Sequence, residues 1–389
     1  MAVPRRGLRA LPRRFRRERL LIVGCGDIGQ RIARLVEGRW RVFGIVRSEA
    51  SAQRVRAAGA VALLDDMVGA GRSRRFAGLA RTVVHAAPPS TGSSNALGVP
   101  IDPLTRRWDA HWRAVTRRHP SISPTGSIRH DSAPPRRIVY LSTTGVYGDR
   151  GGRVTDETTP VSPMTDRAWR RVDAERTLRA RRRDARHGRR GSGRWSGAFP
   201  APRPLPASIL RVPGIYAIDR LPLARIAAST PVLVDEEDVH TNHVEAHDLA
   251  RATLTALLRG RSARIYNVVD ASDLRMGQFM DRIADWAGLT RCPRLTRDAL
   301  LDQVSAMRAS FMSESRQLRA RRLSGELRFR LRFPSIDVFL ARHSPPTAGE
   351  GTCAGADILE GLRVNARKEE IEASKGLESG LCKSRVAPL

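Results

Sequence analysis

The sequence predicts an α/β protein built on a doubly wound parallel sheet, with a smaller C-terminal portion attached. Three observations predict it. Short aliphatic runs alternate with amphipathic helical stretches along most of the chain. A glycine-rich turn lies between the first run and the first helix. Hydrophobic residues make up 41% of 389, enough for a sizeable core. The runs are continuously apolar, as expected of strands covered on both faces.

Leu20–Gly24 opens the series as a buried strand. Ile28, Ile32, Leu35 and Val36 then fall at i, i+4, i+7 and i+8, the stripe of an amphipathic helix. Val42–Val46 reads as a second strand, Ala52–Ala58 as a short helix and Ala60–Leu64 as a third strand. Thr82–Ala86, Ile138–Ser142, Ser208–Val212 and Ile265–Val269 continue the strands. Right-handed crossovers between parallel strands leave a doubly wound sheet. His119–Pro135 and Arg181–Pro206, rich in Pro, Ser, Gly or Arg, read as surface loops inserted between sheet elements.

The expected organisation is a basic disordered arm over 1–19, an α/β domain carrying the glycine-rich turn over 20–212, a smaller portion with late sheet elements over 213–343, and a disordered tail over 344–389. No apolar run approaches the roughly 20 residues of a membrane helix. The four cysteines, Cys25, Cys292, Cys353 and Cys382, are scattered without a CxxC pair. That excludes a disulfide framework and a clustered zinc site, and gives a cytoplasmic expectation with no metal.

The formal net charge is +30, yet lysine occurs only at Lys368, Lys375 and Lys383, so arginine supplies 66 of the 69 basic residues. Exclusion of lysine over so long a stretch reflects codon bias more than a binding face. The field would still attract polyanions nonspecifically at low salt.

Gly24-Cys25-Gly26-Asp27-Ile28-Gly29 is a GxGxxG motif between the first strand and first helix. Such a turn needs glycines for tightness, for close approach of backbone to a pyrophosphate, and for helix–strand packing. Unpaired N–H groups and the helix dipole then favour the anion. The second strand ends Ile45-Val46-Arg47-Ser48, with no carboxylate before Glu49. Arg47 suits a 2′-phosphate, so NADP is expected over NAD, with NAD still open.

Further marks stand along the chain: His85-Ala86-Ala87-Pro88, then Tyr140-Leu141-Ser142-Thr143-Thr144-Gly145-Val146-Tyr147-Gly148-Asp149, then Asp156-Glu157 with Pro160 and Pro163. Arg211-Val212-Pro213-Gly214-Ile215-Tyr216, Asn242-His243-Val244 and Asp248-Leu249-Ala250 follow. With these in order, residues 20 to about 342 resemble the extended short-chain dehydrogenase/reductase family, of the NAD-dependent epimerase/dehydratase type. The glycine turn, STTGVYGD and Phe311–Arg316 resemble an atypical subgroup of it. The resemblance implies a Rossmann fold, a nicotinamide cofactor passing Ala86 and Ala87, and Thr143 as the hydroxyl that holds the reacting oxygen. It implies a substrate pocket near Arg167, Tyr216, Asn242 and His243, a nucleotide sugar as one substrate class, and pairing into homodimers.

The sequence departs from the family at its Tyr-x-x-x-Lys motif. Aligned on Ala174-Glu175, those positions hold Arg167 and Arg171, and no lysine precedes residue 368. Arginine keeps its proton and cannot serve as a general base, though Arg171 could hold ribose hydroxyls or an anionic substrate. Tyr147, with arginine neighbours lowering its pKa, is a candidate substitute acid/base, although the tyrosine of this turn more often packs and makes a structural hydrogen bond. His243, which also helps shape the substrate pocket, and Asp166, as easily a helix cap, are weaker candidates. Thr144 and Gly145 stand where sugar dehydratases carry Asp and Glu, which argues against dehydration. Three readings stay open: an oxidoreductase or epimerase acting on a hydroxyl or keto group, a catalytically silent dinucleotide-binding sensor or scaffold, and a polyanion- or nucleic-acid-binding protein on the same scaffold.

Overall fold

A computed structural model of the chain describes residues 17–67, 73–90, 92–117, 135–187, 207–301 and 313–345. The first half runs β1 (Glu18–Val23), α1 (Asp27–Leu35), β2 (Trp40–Val46), α2 (Glu49–Ala57), β3 (Val61–Leu64), α3 (Ser73–Phe76), β4 (Thr82–His85) and α4 (Pro103–Arg117). β5 (Arg137–Thr143), β6 (Val154–Thr155), α5 (Asp166–His187), β7 (Ala207–Val212) and β8 (Gly214–Tyr216) follow. Next come α6 (Leu223–Ala227), β9 (Val232–Leu233), β10 (His243–Glu245), α7 (Ala246–Arg259), β11 (Ile265–Asn267), α8 (Met276–Ala287), β12 (Arg294–Leu295) and α9 (Arg297–Leu301). The series closes with β13 (Gln317–Leu318), α10 (Arg321–Gly325) and α11 (Ile336–Leu340).

Seven strands form one sheet in the order β11-β7-β5-β4-β1-β2-β3, all parallel. β1 pairs with β2 on one side and β4 on the other, so the order reverses beside it. Ligands of open α/β sheets bind at the carboxyl ends of the strands at such a switch point. The continuous apolar strands follow from coverage of both faces. Leu20 and Ile22 of β1 enter a core shared with Ile28 and Ile32 of α1 and Leu249 of α7. Leu21 and Val23 enter the opposite core with Trp108 and Trp112 of α4 and Leu178 of α5. The expected fold class is the one observed, a Rossmann-like doubly wound sheet.

Some bounds differ from expectation. β1 starts at Glu18, pairing it with Trp40, so strand reaches into the stretch read as an arm. α5 runs to His187, so the first part of the expected Arg181–Pro206 loop is helix. No Gly or Pro interrupts Asp166–His187, and arginine is a good helix former, so composition alone misread that run. The remainder of that loop, nearly all of His119–Pro135, and the tail beyond 345 lie outside the described residues.

The described residues divide into two compact units. Residues 17–219, 239–274 and 313–335 form the first, which holds the sheet. Residues 220–238, 275–301 and 336–345 form the second, in which β9 pairs in parallel with β12 and Ile226, Phe279, Ile283 and Phe339 are buried.

Candidate coenzyme site and reaction centre

The three glycines of the turn meet three different constraints. Gly24 has φ of +79°, and a Cβ there would stand 2.5 Å from the Ala87 backbone, so strand β4's exit presses directly on the turn. Ala86 and Ala87 both donate their N–H to the Val23 carbonyl at 2.9 Å, which fixes that approach. A Cβ at Gly29 would lie 3.0 Å from Cys25 Sγ and 3.1 Å from Ile22, so α1 packs against β1 at glycine distance. Gly26 is the opposite case: a Cβ would meet nothing within 4 Å. It is also the N-cap of α1 and supplies no side-chain cap. The space beside Gly26 at the helix start is therefore unfilled by protein, at the end where the dipole favours an anion. Asp27 and Ile28 complete the turn, with Ile28 buried under it. This cradle fits the pyrophosphate of a dinucleotide.

Cys25 is fully buried, and burial pushes its thiol up to about 12, so it is a packing residue of the turn. Arg47 follows β2, exposed, and makes no ion pair or hydrogen bond among the described residues. Next to it Ser48 caps α2 by accepting from Ser51 N–H at 3.3 Å. A carboxylate does stand at this edge, one strand further on. Asp65, 7% exposed, follows β3, with its own N–H on the Val46 carbonyl and its carboxylate accepting from Met67 N–H. The sequence reading sought an acid only at the end of β2; the same position after β3 was the signal.

At the end of β5 the arrangement is different. Thr143 Oγ1 accepts from Gly145 N–H at 3.2 Å and caps the single 3₁₀ turn Thr144–Tyr147, while the residue stays half-buried. Tyr147 is fully buried and donates to Asn267 Oδ1 at 2.8 Å, with the Arg211 guanidinium 4.6 Å from its ring centre. Burial raises its pKa, outweighing the opposing pull of Arg211. The expectation that arginine neighbours lower the Tyr147 pKa is therefore corrected, desolvation being the larger effect, and the structural hydrogen bond weighed beside the acid/base role is the one formed.

Arg171 turns inward as well. Its Nη1 donates to Tyr140 Oη at 3.0 Å and to the Leu141 carbonyl at 2.7 Å, and the residue is 7% exposed. Arg167, one turn earlier on α5, is exposed. Asp166 is an exposed first-turn residue paired with Arg170 at 3.1 Å; the cap is Thr165, whose Oγ1 accepts from Ala168 N–H. Beneath this helix Arg211 and Glu175 form a buried pair at 3.0 and 2.7 Å, and Ser142 donates to Glu175 at 2.6 Å. Glu175 raises the Arg211 pKa against the opposing effect of burial.

The residues expected around a substrate are mostly committed to the fold. Asn242 donates to the Arg316 carbonyl and accepts from Leu318 N–H, both at 2.9 Å, so it anchors β13. His243 is buried in β10, and desolvation lowers its pKa to about 3, which corrects its reading as an acid/base. Tyr216 is 2% exposed, its ring edge-on to His243 and its hydroxyl beside Asp270, with burial raising its pKa. Asp270 is itself pushed up to about 6 by burial, against hydrogen bonds from Ser272 and Tyr216. The chain contains four tyrosines. All four are described. Tyr140, Tyr147 and Tyr216 are buried as above, and Tyr266 is buried with its Oη accepting from Arg261 N–H at 3.0 Å. All four phenols are thus taken up inside the fold.

No protein-family model and no curated protein matches the sequence. Solved structures do match the fold. A conserved protein of unknown function from Silicibacter pomeroyi is similar with a TM-score of 0.64 at 24% identity, over 83% of this chain and 96% of that one. A nucleoside-diphosphate-sugar epimerase from Pseudomonas aeruginosa gives 0.58 at 17% identity, over 84% and 95%. A dTDP-glucose 4,6-dehydratase from Streptomyces venezuelae, solved with NAD bound, gives 0.55 at 17% identity, over 83% and 97%. At these identities the likeness establishes the fold. Among the described residues no helix is long and apolar enough to cross a membrane, and no group of His, Cys, Asp and Glu could hold a metal.

Proposed function

We infer that the chain binds a nicotinamide dinucleotide and acts as an NAD(P)-dependent oxidoreductase or epimerase on a hydroxyl or keto group of a small molecule, a nucleotide sugar being the favoured class. The observation that carries this is the cradle at Gly24, Gly26 and Gly29, closed where packing demands it and open where a phosphate would lie. The epimerase and dehydratase among the similar folds, the latter with NAD bound, support the same reading.

In this reading the first-turn amides of α1 hold the pyrophosphate, and Arg47 meets a 2′-phosphate, which favours NADP. Asp65 stands at the adenosine end. Bound there, the nicotinamide supplies a hydride donor or acceptor. Thr143 Oγ1 holds the substrate oxygen, and Arg171 contributes a fixed positive charge under the reaction centre. The proton needed at that oxygen has no tyrosine to come from.

That last point favours a second reading, a catalytically silent NADP-binding sensor or scaffold. The burial of all four tyrosines is the observation on its side. Titration of purified protein with NADPH and NADH tests the shared part: micromolar binding is expected, tighter for NADPH, with Arg47→Asp erasing the preference. A screen of nucleotide sugars and simple ketones separates the readings. Turnover that Thr143→Ala abolishes supports the enzyme; binding without turnover on any of them supports the sensor.

A further inference from the structure

Arg31 lies on α1, one turn past the first residue of the helix. Its Nε donates to Asp27 Oδ1 at 2.9 Å, and its Nη2 donates to the two oxygens of Asp219 at 2.9 and 3.1 Å. The Arg31 side chain is 19% exposed, that of Asp27 36% and that of Asp219 62%. Burial alone would lower the Arg31 pKa, but the two carboxylates raise it above the ordinary value.

Asp27 is the feature that needs an explanation. It is the first residue of α1, next to Gly26, where no side chain caps the helix and a Cβ would meet nothing within 4 Å. A first-turn carboxylate seeks the same end of the helix dipole that a phosphate would occupy. Two anions sharing that end repel each other. The bond to Arg31 draws the Asp27 carboxylate back along the helix, away from the amides, and sets a positive charge against it. Asp219, in the turn after β8, holds the guanidinium from the other side, so the side chain has little freedom to leave.

We propose that Arg31 is the positioning residue that makes the glycine turn acceptable to a pyrophosphate, by cancelling the charge of Asp27 and holding its carboxylate on the flank of α1. This rests on the coenzyme reading above. An ordinary i, i+4 pair on a helix surface would contribute only a few tenths of a kcal/mol to stability and nothing to ligand affinity. The two roles therefore part in a binding experiment.

The experiment is calorimetric titration of four chains, wild type, Arg31→Met, Asp27→Asn and the double variant, with NADPH and with ADP-ribose. ADP-ribose carries the pyrophosphate without the nicotinamide. Arg31→Met should weaken both ligands by about tenfold, the effect of removing one cation held against the Asp27 carboxylate beside an anion. Asp27→Asn should bind at least as tightly as wild type. The double variant should recover to within about twofold of Asp27→Asn, because the charge Arg31 masks is gone. Unchanged affinity in Arg31→Met overturns the proposal. So does a double variant as weak as Arg31→Met, which would mean that Arg31 acts through Asp219 or through packing. A loss seen with NADPH but not with ADP-ribose overturns it too, since the effect would then lie at the nicotinamide end. Wild-type protein that binds neither ligand rejects the coenzyme reading itself, a result distinct from these. Far-ultraviolet circular dichroism of each variant confirms that the comparison is between folded proteins, and the recovery in the double variant cannot come from a folding defect.

Discussion

The carboxyl ends of β1 and β5 lie two strands apart in one sheet and treat their polar groups in opposite ways. After β1 the chain leaves amides uncapped and space unfilled around Gly26. After β5 most polar groups are spent on the fold, Tyr147 bonding Asn267 and Arg171 bonding Tyr140 and Leu141, while Thr143 stays half-buried at the strand end. The difference teaches which end of the sheet keeps space free and which fills it. Open space beside Gly26 marks the first end. At the other end, Tyr147 and Arg171 have become internal struts.

The contrast is tested most severely at Glu175. Glu175→Gln leaves Arg211 buried without its counter-charge, and should lower stability by about 3–5 kcal/mol in denaturant titration. Coenzyme affinity per folded molecule should stay the same. A variant that keeps its stability, or loses coenzyme while folded, would break the division between the two ends.

At the other end, two glycines two residues apart should separate stability from binding. Gly24→Ala places a Cβ against the Ala87 backbone at positive φ and should destabilise by about 2–4 kcal/mol. Gly26→Val meets no protein atom on its Cβ, so its melting temperature should barely move, while NADPH binding weakens by at least about tenfold. Equal effects at both positions would mean that the open space at Gly26 has no ligand to receive.

Acidification addresses the buried side of the comparison. His85 and His243 are buried, and desolvation, aided at His85 by Arg171, lowers both pKa values to about 3. The unfolded chain takes up these protons near pH 6.5 and the folded chain does not, so stability falls as pH drops below that value. The loss by about pH 5 is on the order of 2 kcal/mol per histidine. Asp270, raised to about 6, works the other way: it keeps its proton more readily when folded and returns about 1 kcal/mol over the same interval. Urea midpoints between about pH 7 and pH 5 should therefore decline, and a flat profile would show these imidazoles to be solvated.

Much of the sheet was legible because two-sided burial writes itself into consecutive residues, as in Leu20–Val23, and the glycine turn because its constraints are local. The polar wiring was not, because it joins residues far apart in sequence. Tyr147 and Asn267 are 120 positions apart, and Asn242 and Leu318 are 76. Neither pair leaves a periodic or local trace, so Asn242 read as a ligand contact when it anchors β13. Arginine-rich composition hid the rest: among 66 arginines nothing local separates buried Arg171 and Arg211 from exposed Arg167. The helical extent of α5 was lost to the same background.

The smallest expected effect is also the one that reads the reaction centre most directly. Tyr147→Phe removes a hydroxyl that donates one hydrogen bond to Asn267, leaving the ring under Arg211 in place. Stability should fall by about 1 kcal/mol, and any turnover found for this protein should be unchanged in kcat and in pH profile. Thr143→Val should lose a similar amount of stability through its cap, but its effect on turnover should be large, because a methyl cannot hold the substrate oxygen. Two hydroxyls four residues apart, similar in thermodynamic weight, then differ in burial, Tyr147 being fully buried and Thr143 half-buried. If Tyr147→Phe instead flattens the pH profile, the phenol is reaching the substrate in solution, and the end of β5 is as open as the end of β1.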